Sequence, residues 1–416
     1  MIINGKDYQV KCECGKEHAM STEFCVIEKG CLKNFSKYVK QFNFKGTSVA
    51  IYDQNTYEAT CNVRPNADFE IVLSPENLHA DNHGVAAAKE SLPAKFDYLI
   101  AVGSGTVHDI TRYIAYERGV EFISCPTAAS VDGFCSSVAA MTWDGFKKTF
   151  TAVAPKIVIA DLDIISNAPM RLTKSGFGDM VGKFIALADW KIANTILDEY
   201  FCQKIYDLVM NATRAVIDSA DGIIEKRISA YEKLVYGLLL SGLAMQMLGN
   251  SRCASGAEHH ISHFIEMQPK VLSEGSTALH GEKVGVGTLI ASKEYHEICS
   301  AKEIEFIDYQ NALDDYIENI FGQTLSGSIV AENKNDCATN ITKEKMQRSW
   351  NKIKDIVSQI PTCENLIKIY DKLNLKRTLS SLQVNEDRLN AILDCSPLVR
   401  NRLTLMRLRK TIKNNN

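Results

Sequence analysis

Between residues 48 and 160 short apolar runs alternate with stretches of helical period. The runs at 48–52, 69–73, 98–102, 122–125 and 157–160 each stop at a polar residue, a glycine or a proline. Unbroken apolar runs of that length predict strands buried on both faces of a parallel sheet. The segments between them, 82–90 and 107–116 for example, predict the crossover helices that such a sheet requires. From about Pro169 onward the strand signal stops, and helical periods fill 183–197, 202–223, 230–248 and 346–358. The expected architecture is an N-terminal α/β domain over residues 1–165, with a Rossmann-like parallel sheet, and an all-helical domain over 166–416. The crevice between the two is the expected binding site.

Composition narrows the partners. At 416 residues, 45% hydrophobic and 23% charged, with a formal net charge of −3, the chain has no electrostatic reason to bind nucleic acid or an anionic membrane. Its first residues, MIINGKDYQVKCECGKEH, are polar, which predicts no leader segment. The longest apolar stretch, 234–249, contains Gly237, Ser241, Gly242 and Gln246; it is too short for a bilayer and predicts a buried helix. Thirteen cysteines, an odd number, predict reduced thiols and a cytoplasmic location. Cys12, Cys14 and His18 offer three zinc-type ligands, and Cys25 or Cys31 would have to supply a fourth; free thiols are the expected state. Residues 300–345 predict surface helices or an insertion. The basic run Arg400, Arg402, Arg407, Arg409, Lys410, Lys413 predicts the solvated face of a terminal helix, fraying over residues 414–416.

Two turns carry candidate chemistry. The third strand of the pattern leads into Gly103-Ser104-Gly105-Thr106-Val107-His108-Asp109. Glycines let a pyrophosphate approach the backbone, and the helix that follows offers unpaired N–H groups. His108 stands where the G-x-G-x-x-G fingerprint has its third glycine, and the usual acidic residue downstream has no natural counterpart. Asp53, at the end of an earlier strand, is the better candidate for an adenosine ribose. The second turn, Pro126-Thr127-Ala128-Ala129-Ser130-Val131-Asp132-Gly133-Phe134, places hydroxyls at a strand's carboxyl end. For both turns the alternative is a tight loop without a ligand.

Three later segments carry metal-ligand types: Gly176-Phe177-Gly178-Asp179, Glu258-His259-His260-Ile261-Ser262-His263 and Leu279-His280-Gly281-Glu282. One aspartate and two histidines can hold a divalent ion and leave a coordination position open, as catalytic sites do. On a helix His259 and His263 share a face while His260 points about 100° away, so spacing alone leaves His263 as a possible further ligand.

Together the segments GSGTVHDITRY (103–113), PTAASVDGF (126–134), SGFGDMVGKFIALADW (175–190), SGAEHHISHF (255–264) and LHGEKVGVGT (279–288) resemble the sn-glycerol-1-phosphate dehydrogenase family, in the family's order. The bacterial branch is the most similar. That family lies within the dehydroquinate synthase-like superfamily, with the iron- and zinc-dependent alcohol and glycerol dehydrogenases. VRNRLTLMRL (399–408) is similar more weakly. The resemblance implies metal ligands at Asp179, His259 and His280, with zinc or nickel as the ion. It implies NAD or NADP contacts from Asp53, Gly103, Ser104, Gly105, Thr106, Asp109, Thr127 and Ser130. Asp132 would lie near the substrate, and His263 beside the metal without binding it, as phosphate partner or proton carrier. Arg252 and Lys147 or Lys148 are the candidate cations for a substrate phosphate.

The implied reaction is reversible hydride transfer between NAD(P)H and dihydroxyacetone phosphate, giving sn-glycerol 1-phosphate, with the metal as Lewis acid. Asp53 predicts a preference for NAD, because a carboxylate repels a 2′-phosphate. A homodimer or larger homo-oligomer is expected. The competing readings are a dehydrogenase for unphosphorylated polyols such as glycerol, a dehydroquinate synthase-like lyase, and a non-catalytic NAD- or metal-binding module.

Overall fold

The computed structural model describes residues 1–9, 11–310 and 316–413. The expected fraying of 414–416 lies outside the described residues. The chain forms two compact units, Met1–Met180 with Asn211–Asn250, and Val181–Met210 with Ser251–Asn416.

The first unit is built on a seven-stranded sheet. Among the described residues the unit has nine strands: β1 (Ile2–Asn4), β2 (Phe24–Glu28), β3 (Ser48–Asp53), β4 (Phe69–Leu73), β5 (Tyr98–Gly103), β6 (Glu121–Pro126), β7 (Val138–Trp143), β8 (Phe146–Thr151) and β9 (Ile157–Asp161). The sheet order is β1-β2-β9-β6-β5-β3-β4, parallel throughout except for the β1–β2 edge, and β7 and β8 make a separate antiparallel hairpin. All five anticipated strands are present. In the central strands β3 and β5 alternate residues feed opposite cores: Ala50, Tyr52, Ile100 and Val102 on one face, Val49, Ile51, Leu99 and Ala101 on the other, whereas the edge strand β4 buries only Ile71 and Leu73. That two-sided burial is why the runs of β3 and β5 read as apolar on both faces.

The hairpin was not anticipated. Its strands are only half-buried, and its turn is Asp144-Gly145, both with positive φ (50° and 80°), the backbone that two-residue hairpin turns demand.

Up to residue 300 the α-helices in chain order are α1 (Phe35–Gln41), α2 (Gln54–Ala59), α3 (Asn82–Glu90), α4 (Gly105–Arg118), α5 (Leu162–Ile165), α6 (Met170–Val181), α7 (Lys183–Leu197), α8 (Gln203–Ile217), α9 (Ala220–Ile224), α10 (Ile228–Leu248), α11 (Ala257–Glu266) and α12 (His280–Ser300). The helix expected over 202–223 is two helices, α8 and α9. The apolar stretch 234–249 lies in α10, which packs on β2 and on the Gly133–Cys135 turn. Part of the helical region therefore belongs with the sheet, a grouping that differs from a single cut at residue 165. No helix among the described residues is long and apolar enough to cross a membrane.

The second unit is helical. At its centre Asp189 on α7 is a buried carboxylate that accepts from Ala257 N (2.9 Å), Leu405 N (2.8 Å) and Tyr295 Oη (2.9 Å). Burial raises its pKa to about 7, against the lowering effect of the backbone donors. Within 300–345, helices Tyr316–Phe321 and Gln323–Glu332 form, as expected, and Glu305–Phe306 pairs with Ile412–Lys413.

The C-terminal basic run corrects the sequence reading: it is not a solvated face. Arg407 is fully buried, 2.8 Å from Asp336, and donates to Asn333 Oδ1, Pro397 O and Arg400 O. Arg402 donates to Ser255 O and Ser251 Oγ. The Asp336 carboxylate offsets the buried charge of Arg407, and Nη2 carries its three hydrogen bonds.

Candidate active site

In the first unit the candidate residues gather at the carboxyl ends of the central strands. From β3 the chain moves outward to β4, whereas from β5 it moves the other way to β6, so the topological switch point lies between β3 and β5. Ligands of open α/β sheets bind outside such a point. Asp53 ends β3 and the Gly103–Gly105 turn follows β5, which explains how an acid earlier in sequence can stand next to the glycine turn. Asp53 also caps α2, accepting from Thr56 N at 3.0 Å. Ser104 is the N-cap of the 14-residue α4 and spends no side-chain hydrogen bond on it. The glycines are needed for packing too: a Cβ on Gly103 would lie 2.6 Å from Val107 Cβ, and one on Gly105 3.0 Å from Val131 Cγ2.

His108 is a structural pin. Its Nδ1 faces Ser104 O (2.9 Å) and its Nε2 faces Ser124 Oγ (2.8 Å), and burial lowers its pKa to about 3, so it is neutral. Asp109 is paired with Arg112 at 2.9 Å.

The turn after β6 begins with Thr127 N donating to Gly103 O (3.0 Å), which ties the two candidate turns together. Ser130 Oγ is buried with no hydrogen-bond partner. A hydroxyl left so is costly without a ligand, and it fits a dinucleotide-binding edge. Gly176 lets α6 approach this turn, since a Cβ there would lie 2.1 Å from Ala129 O. One turn further along α6, Asp179 accepts from Asp132 N (3.0 Å), and Asp132 Oδ2 accepts from Ser241 Oγ on α10 (2.8 Å). Both carboxylates are buried and held in fixed orientation.

In the second unit α11 and α12 pack closely, and Gly287 permits it: a Cβ there would lie 2.6 Å from Glu258 O. The packing brings three imidazoles together, with ring centroids 5.3 Å apart for His259–His280, 6.0 Å for His259–His263 and 5.8 Å for His263–His280. His259 Nδ1 lies 2.7 Å from Glu258 Oε1, and His280 Nδ1 lies 2.7 Å from Glu266 Oε1. A neutral imidazole that donates Nδ1–H to a carboxylate keeps its Nε2 lone pair, the arrangement of metal-binding histidines. The donor set fits a divalent ion. Glu282 is no ligand; it caps α12 by accepting from Leu279 N at 2.7 Å. His260 points into the core, where burial and the charges of Arg402, Arg407, Arg252 and Arg400 hold its pKa well below the usual imidazole value.

Sequence reasoning missed Glu258, Glu266 and Ser241. The signal for the first was its place directly before His259; for the others no local signal exists. Arg252 is buried, with its Nε 2.9 Å from Glu199 Oε1 and its Nη2 donating to Leu403 O. Lys147 sits on β8, opposite Thr142, and Lys148 Nζ lies 5.2 Å from the Phe150 ring centroid.

Residues 26–169 match the model of the iron-containing alcohol dehydrogenase family. The chain is 37% identical over 333 residues to the glycerol-1-phosphate dehydrogenase [NAD(P)+] of Bacillus licheniformis, covering 77% of this chain and 81% of that protein. It is 40% identical over 269 residues to the enzyme of the same name from Pyrococcus horikoshii, covering 64% and 76%. Among solved structures, a probable glycerol dehydrogenase from Sinorhizobium meliloti superposes with a TM-score of 0.59 at 17% identity, over 91% of this chain and 89% of that one. A glycerol dehydrogenase from Schizosaccharomyces pombe does so with a TM-score of 0.53 at 21% identity, over 85% and 92%. The structural likeness establishes a common fold, and the sequence identity over most of both chains establishes more: the chain belongs to the glycerol-1-phosphate dehydrogenase family of the iron-containing alcohol dehydrogenases.

Proposed function

We propose that this chain is an NAD(P)-dependent sn-glycerol-1-phosphate dehydrogenase, transferring hydride reversibly between NAD(P)H and the carbonyl of dihydroxyacetone phosphate. The observation that carries the reading is the carboxylate-oriented histidine pair, His259 and His280, in a chain that covers 81% of a glycerol-1-phosphate dehydrogenase. On their chemistry, one carboxylate and two imidazoles, Asp179, His259 and His280 are the proposed ligands of one divalent ion, zinc or nickel. Such an ion supplies a Lewis acid for the reacting oxygen, and the nicotinamide carries the hydride.

The chain's own residues do the rest. Asp53, the Gly103-Ser104-Gly105-Thr106 turn, Asp109, Thr127 and Ser130 bind the dinucleotide. Asp132, fixed by Ser241, orients a substrate hydroxyl. His263, within 6.0 Å of both neighbouring imidazoles by ring centroid, moves the proton and contacts the phosphate, with Lys147 as a second cation. The protein works in the cytoplasm, as a homodimer or larger homo-oligomer.

The test is oxidation of each glycerol phosphate enantiomer with NAD or NADP, with nickel or zinc added back. Consumption of the 1-phosphate with net accumulation of reduced cofactor is expected. Turnover of glycerol without response to glycerol 1-phosphate would make this a polyol dehydrogenase, and a synthase-type lyase would recycle its hydride and accumulate none. Asp53→Ser separates charge from capping, because serine still caps α2. It is expected to raise kcat/KM with NADP relative to NAD by about tenfold, as loss of a carboxylate beside a 2′-phosphate implies. Equal kinetics with the two cofactors in the parent enzyme would remove Asp53 as the discriminator.

A further inference from the structure

A charged side chain, Arg112 on α4, lies fully buried in the first unit. Its Nη1 donates to Asp109 Oδ1 (2.9 Å) and Val138 O (3.0 Å), and its Nη2 donates to Gly133 O (2.6 Å) and Phe134 O (3.0 Å). The two terminal nitrogens of a guanidinium carry four hydrogens, and these contacts use all four. The Asp109 carboxylate offsets the buried charge. The other three acceptors are main-chain carbonyls within six residues of Asp132, so the side chain grips the backbone that follows it.

The same turn is held from α10, which also belongs to the first unit. Ser241 Oγ donates to Asp132 Oδ2 (2.8 Å), and Gln246 Nε2 donates to Cys135 O (2.5 Å). Gly242 lets α10 come this close, since a Cβ there would lie 3.0 Å from Asp132 O. On the other side Phe134 meets His108 of α4 edge to face, with ring centroids 4.9 Å apart. Arg112 is the polar tie between the turn and α4, the helix whose first residues form the proposed dinucleotide seat. A planar fork bonded to several fixed acceptors sets separation and angle together, which an apolar contact does not.

We propose that Arg112 is a positioning residue for hydride transfer, which fixes the Asp132 turn relative to the dinucleotide helix before substrate arrives. What is positioned rests on the dehydrogenase reading above; how it is positioned rests on the four contacts. Hydride transfer needs both reactants at a set distance and angle, and a misplacement of about 1 Å can lower the rate by about 10²-fold. Lysine keeps the charge beside Asp109, but a single ammonium does not reproduce the fork.

Arg112→Lys is expected to lower kcat/KM for glycerol 1-phosphate by about 10²-fold, with NADH affinity and far-UV circular dichroism at parent values. The test is a double-mutant cycle with Asp132→Ala. Acting through Asp132, Arg112→Lys should lower kcat/KM by no more than about twofold in that background. The same loss in both backgrounds is the mark of a merely structural residue and overturns the proposal. So does an Asp132→Ala enzyme of parent activity, or an Arg112→Lys enzyme of parent kcat/KM. If Arg112→Lys does not fold, hydrogen exchange in the wild type decides. With NADH bound, the amides of residues 132–136 are expected to be protected, and no more so after glycerol 1-phosphate is added. Protection that appears only with glycerol 1-phosphate means the substrate orders the turn, and overturns the clamp. A wild type that does not oxidise glycerol 1-phosphate sinks the dehydrogenase reading, and exchange with NADH alone still judges whether the turn is set in advance.

Discussion

His259→Ala is expected to lower kcat/KM by about three to four orders of magnitude and to leave one metal fewer per chain, with the fold intact. The size follows from the chemistry. A Lewis acid at a carbonyl oxygen is worth several kcal/mol of transition-state stabilisation, and each 1.36 kcal/mol is about tenfold in rate. Of the three proposed ligands Asp179 and His280 would remain, and the Glu258 carboxylate would be left buried without its Nδ1 donor. Glu258→Gln is the milder companion: the amide oxygen still accepts from Nδ1, so metal affinity should fall by about 10–100-fold, in line with outer partners elsewhere. Elemental analysis, a metal-binding isotherm and far-UV circular dichroism separate the outcomes. A His259→Ala enzyme that keeps its full metal complement and its rate would mean the ion is held elsewhere.

Strands buried on both faces announce themselves, because every residue of β5 is apolar or glycine and the pattern needs no partner to be read. The β7–β8 hairpin does not, since half its positions face solvent and its identity rests on the Asp144-Gly145 turn. Ligand types were legible at Asp179, His259 and His280 for the same local reason: the residue carries the chemistry. Their orientation was not. Ser241 is 109 residues from the Asp132 it fixes, and Glu266 is 14 from His280. The glycines fall between these cases. Gly176 and Gly287 were visible as motif members, but their function is to remove a Cβ where another element's backbone approaches, and only the packed fold shows that. Arg252 shows the converse: sequence offers a guanidinium without its surroundings, and only the fold shows Glu199 and Leu403 as partners of its Nε and Nη2.

Arg407→Met is expected to destabilise the protein by about 3–5 kcal/mol, the cost of breaking a buried ion pair by removing one partner. Arg407 and Asp336 are both fully buried, 2.8 Å apart. Asp336 accepts from Tyr309 Oη (2.8 Å) and Ala338 N (2.9 Å), but two neutral donors do not replace a guanidinium beside an ionised carboxylate. Methionine fills the volume and leaves Asn333 Oδ1 and the carbonyls of Pro397 and Arg400 without their donor. Arg409, two residues on, is partly exposed and paired with both Glu294 and the exposed Asp394; it is the milder comparison, and Arg409→Met should cost less, about 1–2 kcal/mol. Urea unfolding of the two variants reads the difference as a shift in midpoint. Because the Arg407 shell holds the Pro397–Arg400 turn rather than any ligand group, residual activity in the folded fraction should stay near that of the parent. Equal shifts for both arginines would return this C-terminal run to a solvated face and remove the case for a buried anchor.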